Sequence, residues 1–297
     1  MHFPGKYSAH IRADKLDKLS VSIFLDSLTN THGGVGANIA YSLALLGENP
    51  VLVGSVGPDA DHYLERLTKT GVDTSMVHVS KLPTASFNVI TDSDENQVGG
   101  FYPGAMFDAE TLSFAPWEHD SPICLVGPHD PAGMRRQVAE CVRWNLRLCY
   151  DVGQQVSNLS PEDLRAGVNA ADVLILNEYE MAALSAKIGL DTAQIKAAVP
   201  VVVTTLGSEG SVIEGASIPS PVRAGIVAPI KVTDPTGAGD AYRAGFLYGW
   251  RRQMDWVVCA QLGATCAAYA IENVGTQGHS FDLATVSGRY ETTFGTL

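Results

Sequence analysis

The chain has 297 residues, 45% hydrophobic and 18% charged, with 20 Lys+Arg against 32 Asp+Glu for a net charge of -12. An apolar fraction of that size excludes a disordered chain, and no run approaches the roughly 18 to 20 apolar residues of a membrane-spanning helix. The acidic balance argues against a general nucleic-acid or membrane-surface binder, although backbone N–H groups can still bind small anions. A soluble, cytoplasmic protein is expected. The five Cys (Cys124, Cys141, Cys149, Cys259, Cys266) show no CxxC spacing and read as reduced structural thiols, and the N-terminus lacks a signal-peptide pattern.

In chain order, residues 20–28 form an isolated strand candidate. Gly33-Gly34-Val35-Gly36-Ala37-Asn38 opens the first long helix, in which Ile39, Leu43 and Leu46 share a face and Gly47 marks the end. A strand follows over 51–57, and a second isolated strand candidate over 85–92. These two isolated segments are expected to pair as a small antiparallel sheet, either a lid over a site or a plain edge ribbon. From residue 123 onward, strands at 123–127, 146–151, 172–177 and 201–207 alternate with helices at 132–145, 160–170 and 178–187. Ser160, Pro161 and Asp163 are a helix-start signature. Repeated strand–helix units with continuous apolar strands predict a doubly wound α/β sandwich around a mostly parallel sheet. The 297 residues read as one domain, with lid segments at about 1–31 and 82–104.

The strongest chemical signal is Asp234-Pro235-Thr236-Gly237-Ala238-Gly239-Asp240, between a period-two apolar stretch (Ile226, Ala228, Ile230, Val232) and a helix from Ala241 to about Trp250. Small residues at a helix start leave backbone N–H groups open to an anion, and the helix dipole favours negative charge there. Gly237, Ala238 and Gly239 would form an anion hole with Asp240 beside it as a general base, a pairing suited to phosphoryl transfer. On this reading the helix start favours ionised Asp240, and no raised pKa is needed. Taken alone, the motif is also an ordinary glycine-containing loop.

Other segments fit the same chemistry. Gly34 allows close approach, and the Asn38 amide suits sugar hydroxyls. Asn177 and Glu180 lie at the carboxyl end of a parallel strand, where open α/β sheets place ligands; Glu180 would hold Mg2+, directly or through water, with Asn177 near phosphate. Thr205, Gly207 and Gly210 end the next strand with a further approach for a nucleotide. Each segment alone also reads as a turn or a helix cap.

Together, the double glycine ending in Asn38, the NxxE at Asn177–Glu180, the TxGxxG at Thr205–Gly210 and the DPTGAGD at Asp234–Asp240 resemble the ribokinase-like (PfkB) family of sugar and nucleoside kinases. The resemblance runs from Phe3 to about Phe281 and implies a three-layer sandwich with a β lid. Within that family, Phe3-Pro4-Gly5, residues 101–106, Asp151 with Gln154-Gln155, residues 240–246 and Gly275-Thr276-Gln277 resemble bacterial adenosine kinases. This likeness implies an ATP-dependent purine-salvage enzyme that phosphorylates a nucleoside 5′-hydroxyl. Gly34 and Asn38 would contact ribose, Phe87 and Phe101 would stack on the base, and Gln154 and Gln155 would bond to the purine or its ribose. Asn177, Thr205, Gly207 and Gly210 would face ATP.

The family also implies Mg2+, a monovalent cation that no residue here places, and a homodimer through the lid. Members begin with a short strand that carries a sugar-binding Asp, and Met1 sits where that strand would already be ending. A start assigned too late is expected, because a lost buried strand exposes its neighbours' edges. A sugar kinase and a non-catalytic nucleoside binder of the same fold are the alternatives.

Overall fold

The computed structural model describes residues 1–11 and 20–297. In chain order, its first part comprises α1 (Tyr7–His10), α2 (Val35–Leu45), β1 (Gly54–Val56), α3 (Asp61–Thr70), β2 (Val77–Val79), β3 (Ser86–Thr91) and β4 (Gln97–Tyr102). The second part alternates β5 (Ile123–Val126), α4 (Pro131–Trp144), β6 (Arg147–Tyr150), α5 (Pro161–Ala170), β7 (Val173–Asn177), α6 (Glu178–Ile188), α7 (Thr192–Ala198) and β8 (Val201–Thr205). It ends with β9 (Ser211–Glu214), β10 (Val222–Ala224), α8 (Ala238–Arg251), α9 (Trp256–Ile271) and α10 (Leu283–Phe294).

The main sheet has six strands in the order β10-β9-β8-β7-β6-β5. From β5 to β8 the strands are parallel, and β9 pairs antiparallel with both β8 and β10. The continuous apolar run of β7 explains its central place: Val173, Leu174, Ile175 and Leu176 are all fully buried, because helices cover both faces. Alternation divides the side chains between two cores. Leu148, Tyr150, Leu174, Leu176 and Val202 pack with Met134, Val138, Leu164 and Leu184 of α4, α5 and α6. Cys149, Val173, Ile175, Val201 and Val203 pack with Phe246 and Ala260 of α8 and α9. The result is the three-layer α/β/α sandwich that the sequence predicts. Ser160 caps α5 by accepting from the Asp163 N–H at 3.1 Å, with Pro161 at the first helical position.

Three expected strands differ. Residues 20–28 do not pair with β3; β3 pairs with β4 in an antiparallel ribbon that sets Phe87 opposite Phe101. Local turn chemistry accounts for this: Asp92 Oδ1 accepts from the N–H groups of Asp94 and Asn96 at 3.0 and 2.9 Å, closing a hairpin with little loop entropy. The N-terminal residues run beside that ribbon, His2 bridging Ser27 on one side and Thr91 on the other. Of residues 51–57, only Gly54–Val56 is a strand, paired with β2 in a separate two-stranded sheet. The period-two stretch from Ile226 to Val232 is not a strand. Its backbone instead meets the end of α9, where the Ile230 N–H donates to Glu272 and the Thr233 and Asp234 N–H groups donate to the Ile271 carbonyl.

No helix among the described residues is long and apolar enough to cross a membrane.

Candidate active site

The carboxyl ends of β6, β7 and β8 and the start of α8 supply the residues of interest, as expected for an open α/β sheet. Gly237, at φ 84°, turns the chain into α8, and a Cβ there would sit 2.8 Å from the Thr276 Cα. Asp234 stitches the same turn: Oδ1 accepts from the Thr236 N–H and Oδ2 from the Gly275 N–H, both at 2.9 Å. Against the cost of partial burial, these donors hold the Asp234 carboxyl below its ordinary range. The Ala238 N–H is turned back to the Pro235 carbonyl at 3.2 Å, so among the three expected anion-hole residues it already has a partner.

Asp240 follows in the first turn of α8, partly buried. Its Oδ2 accepts from Asn38 Nδ2 at 2.7 Å. The orientation of that amide follows from an unambiguous cation. Arg66 donates to Gln277 Oε1 at 2.6 Å and to the Gln277 carbonyl at 2.9 Å. Gln277 Nε2 therefore faces Asn38 Oδ1, at 2.9 Å, and the Tyr63 hydroxyl, at 2.7 Å. The Thr276 hydroxyl lies 2.9 Å from both Asn38 Oδ1 and the His32 carbonyl and has one proton for the two. With its oxygen facing Gln277 Nε2, Asn38 can only present N–H to Asp240.

Ionisation at Asp240 differs from the sequence-based expectation. Burial pushes its carboxyl up to about 6, although the Asn38 donor and the Arg243 guanidinium act in the opposite direction. The helix start does not offset desolvation among the neighbouring carboxylates Asp151 and Glu180.

Two residues outside the expected set complete this centre. Arg243, one turn beyond Asp240, is buried against buried Asp151 at the end of β6. Arg243 Nη2 donates to Asp151 Oδ1 at 2.8 Å, and Nε lies 2.6 Å from Oδ2 without the alignment of a hydrogen bond. Nη2 is also 4.0 Å from Glu180 Oε2. Asp151, ending a predicted buried strand, carried a signal that position alone could have flagged.

Asn177 and Glu180 form a reciprocal capping box at α6: Asn177 Oδ1 accepts from the Glu180 N–H at 2.8 Å, and Glu180 Oε2 from the Asn177 N–H at 2.9 Å. One Glu180 oxygen is thus engaged locally. The Thr205 hydroxyl donates to the Leu176 carbonyl at 3.5 Å. Gly207 begins the turn after β8, and Gly210 (φ 87°) ends it, where a Cβ would lie 2.2 Å from the Ala224 carbonyl oxygen.

A cavity of about 2050 Å³ is bounded by Gly34, Phe87, Phe101, Gln154, Gln155 and Thr236 among others, which brings one of the two expected ribose residues and the expected base residues onto one wall system. It also reaches back between the edges of β1 and β5, where Val53 and Leu125 line it. Asn38, Gly237, Ala238, Gly239 and Asp240 do not line it, and neither do Thr205, Gly207, Gly210, Asn177 and Glu180.

The profile of the pfkB family carbohydrate kinases matches residues 10–282. The chain belongs to that family, and it is a kinase that transfers a phosphoryl group to a hydroxyl. It is 32% identical to a nucleoside kinase from Methanothermobacter thermautotrophicus, over 99% of this chain and 95% of that protein. Among solved structures it is similar to Burkholderia thailandensis nucleoside kinase in complex with inosine, with TM-score 0.89, 29% identity and coverage of 99% and 95% of the two chains. The Methanocaldococcus jannaschii nucleoside kinase structure gives TM-score 0.86 at 27% identity, covering 98% and 94%.

Proposed function

We propose that the protein transfers the terminal phosphoryl group of ATP to the 5′-hydroxyl of a ribonucleoside, adenosine before others. One observation carries the reading. Asp240, oriented by Asn38, stands at the start of α8, and the turn before it gives Asp234 and Thr236 to a cavity whose wall combines two aromatic rings and two Gln amides. A sugar alone has no use for a stacking pair with amides able to meet a base edge.

On this reading Asp240 takes the proton from the 5′-hydroxyl as it attacks. The amides of the Gly237–Gly239 turn stabilise charge on the transferring group, with Gly239 contributing more than Ala238, whose N–H has a partner. Gly34 and Asn38 position ribose, Phe87 and Phe101 close on the base, and Gln154 and Gln155 read its edge. Asn177, Thr205, Gly207 and Gly210 face the nucleotide donor. The remaining oxygen of Glu180 fits the hard-oxygen chemistry of Mg2+ and would hold it through water; bound, the ion neutralises charge on the ATP phosphates.

The test is ADP release by the parent and by Asp240→Asn, with adenosine, inosine, ribose and fructose phosphates offered separately. Inosine belongs in the panel because the B. thailandensis relative was solved with it. Turnover of adenosine that disappears in Asp240→Asn supports the proposal. Equal turnover in the two proteins sinks Asp240 as base, and preference for ribose sinks the nucleoside pocket. Calorimetric nucleoside binding without any ADP would leave a binder in place of an enzyme.

A further inference from the structure

Asp151, Glu180 and Asp240 arrive from three elements, the end of β6, the first turn of α6 and the first turn of α8, and one cation stands among them. Arg243 is nine-tenths buried, with its guanidinium against Asp151 and 4.0 Å from Glu180. Its Nη1 also donates to the Gly239 carbonyl at 3.1 Å, inside the turn that precedes Asp240. Space for this contact depends on residue 239 having no side chain, since a Cβ there would meet Arg243 Nη1 at 2.9 Å.

The carboxylate that holds Arg243 is itself fixed. The Asp151 N–H donates to the Val126 carbonyl at 3.0 Å, so its backbone continues the ladder between β5 and β6. The residue before Arg243 in α8 makes a second tie to the sheet, the Tyr242 hydroxyl bonding to Ser211 Oγ on β9 at 2.8 Å. The start of α8 is therefore anchored to the sheet at two points, and one anchor ends on the carbonyl of the glycine that adjoins Asp240.

We infer that Arg243, held by Asp151, is a positioning residue for phosphoryl transfer: the pair fixes the Gly239–Asp240 turn against the end of β6. The inference rests on the reading of Asp240 as the base. A fork-shaped guanidinium suits this task because it can meet a carboxylate and a carbonyl at once, which a Lys ammonium on a flexible stem does less rigidly. Misplacing a reacting group by about 1 Å costs on the order of a hundredfold in rate, so loss of the anchor should appear in kcat before it appears in ligand affinity.

A buried pair that only supports the fold predicts something else. Replacing both partners with apolar residues of similar size is often neutral or stabilising, whereas removing one leaves a lone buried charge. The decisive variant is thus the double Asp151→Leu/Arg243→Met, compared with the parent for thermal midpoint, kcat and nucleoside KM. The expected result is a midpoint close to the parent, a nucleoside KM within about threefold and kcat lower by at least about tenfold. A double variant with parental midpoint and parental kcat overturns the inference. Should that protein fail to fold, Arg243→Lys replaces it: kcat down at least about tenfold at unchanged KM supports the positioning role, and parental kcat overturns it. Asp240→Asn is measured beside them. If it keeps parental turnover, the reading of Asp240 as base has failed; if it is inactive while the pair variants are fully active, only the positioning role has failed.

Discussion

Replacing Asp240 with Asn should make the protein more stable while abolishing turnover. The folded carboxyl is raised from 3.8 to about 6 by burial, so ionising it at neutral pH works against the fold. Two pKa units at about 1.36 kcal/mol each set an upper bound of about 3 kcal/mol, and partial solvent access reduces this to about 1 to 2 kcal/mol. An Asn amide keeps an oxygen for Asn38 Nδ2 and carries no charge. The sign with pH follows from proton counting. Well below pH 4 both states hold the proton, and the charge penalty is absent. Between about pH 4 and pH 6 the unfolded chain has released its proton while the folded one keeps it, so parental stability falls as pH rises. Above about pH 6 the penalty is constant. Urea unfolding of parent and Asp240→Asn at pH 4.5 and pH 8 should show the variant's advantage growing toward pH 8. A variant that is less stable at pH 8, or an advantage equal at both values, refutes the burial account of Asp240.

Four further outcomes are expected. The pH profile of kcat/KM should have an acid limb near 6, falling about tenfold per unit below it, and Asn38→Leu should move that limb upward by removing a donor that favours the carboxylate; an unmoved limb counts against the Asn38 assignment. Gly245→Ala should cost about 1 to 3 kcal/mol in urea unfolding, because its Cβ would lie 2.5 Å from the Leu262 carbonyl oxygen where α8 crosses α9. Ser160→Ala should cost about 1 kcal/mol through loss of the α5 cap, with kcat unchanged. Phe101→Ala should raise the nucleoside KM several-fold at nearly constant kcat, as expected when ground-state and transition-state binding are lost equally; a pure kcat defect would contradict a stacking role.

Much of the sandwich was legible because central parallel strands leave a simple trace. Residues 173–176 are apolar without interruption, and Ser160-Pro161 marks a helix start whatever surrounds it. The stretch from Ile226 to Val232 has a strand-like period, but its N–H groups are claimed by Glu272 and Ile271 at the end of α9, a partner that no local pattern shows. Residues 20–28 were misassigned for a related reason, since the hairpin closed by Asp92 needs no distant strand. In the site, the glycine turn and Asp240 announce themselves within seven residues. Arg243 does not, because its meaning comes from Asp151, 92 positions earlier. The ionisation of Asp240 was misread because a helix start is visible in sequence and the depth of burial is not.

The β3–β4 ribbon carries a thermodynamic consequence. Phe87 and Phe101 face each other across it yet are 67% and 55% exposed, and all of β4 is open to solvent, so the ribbon has little core of its own. A ligand that draws these two rings out of water removes on the order of 200 Å² of aromatic surface. At about 0.45 cal/mol/K for each Å², that amounts to a heat-capacity change near -0.1 kcal/mol/K from two side chains. The enthalpy of nucleoside binding would then become more exothermic by about 2 kcal/mol over a 20-degree rise, with only a small change in affinity. Titrations at two temperatures would register the closing of the ribbon even where a single affinity could not.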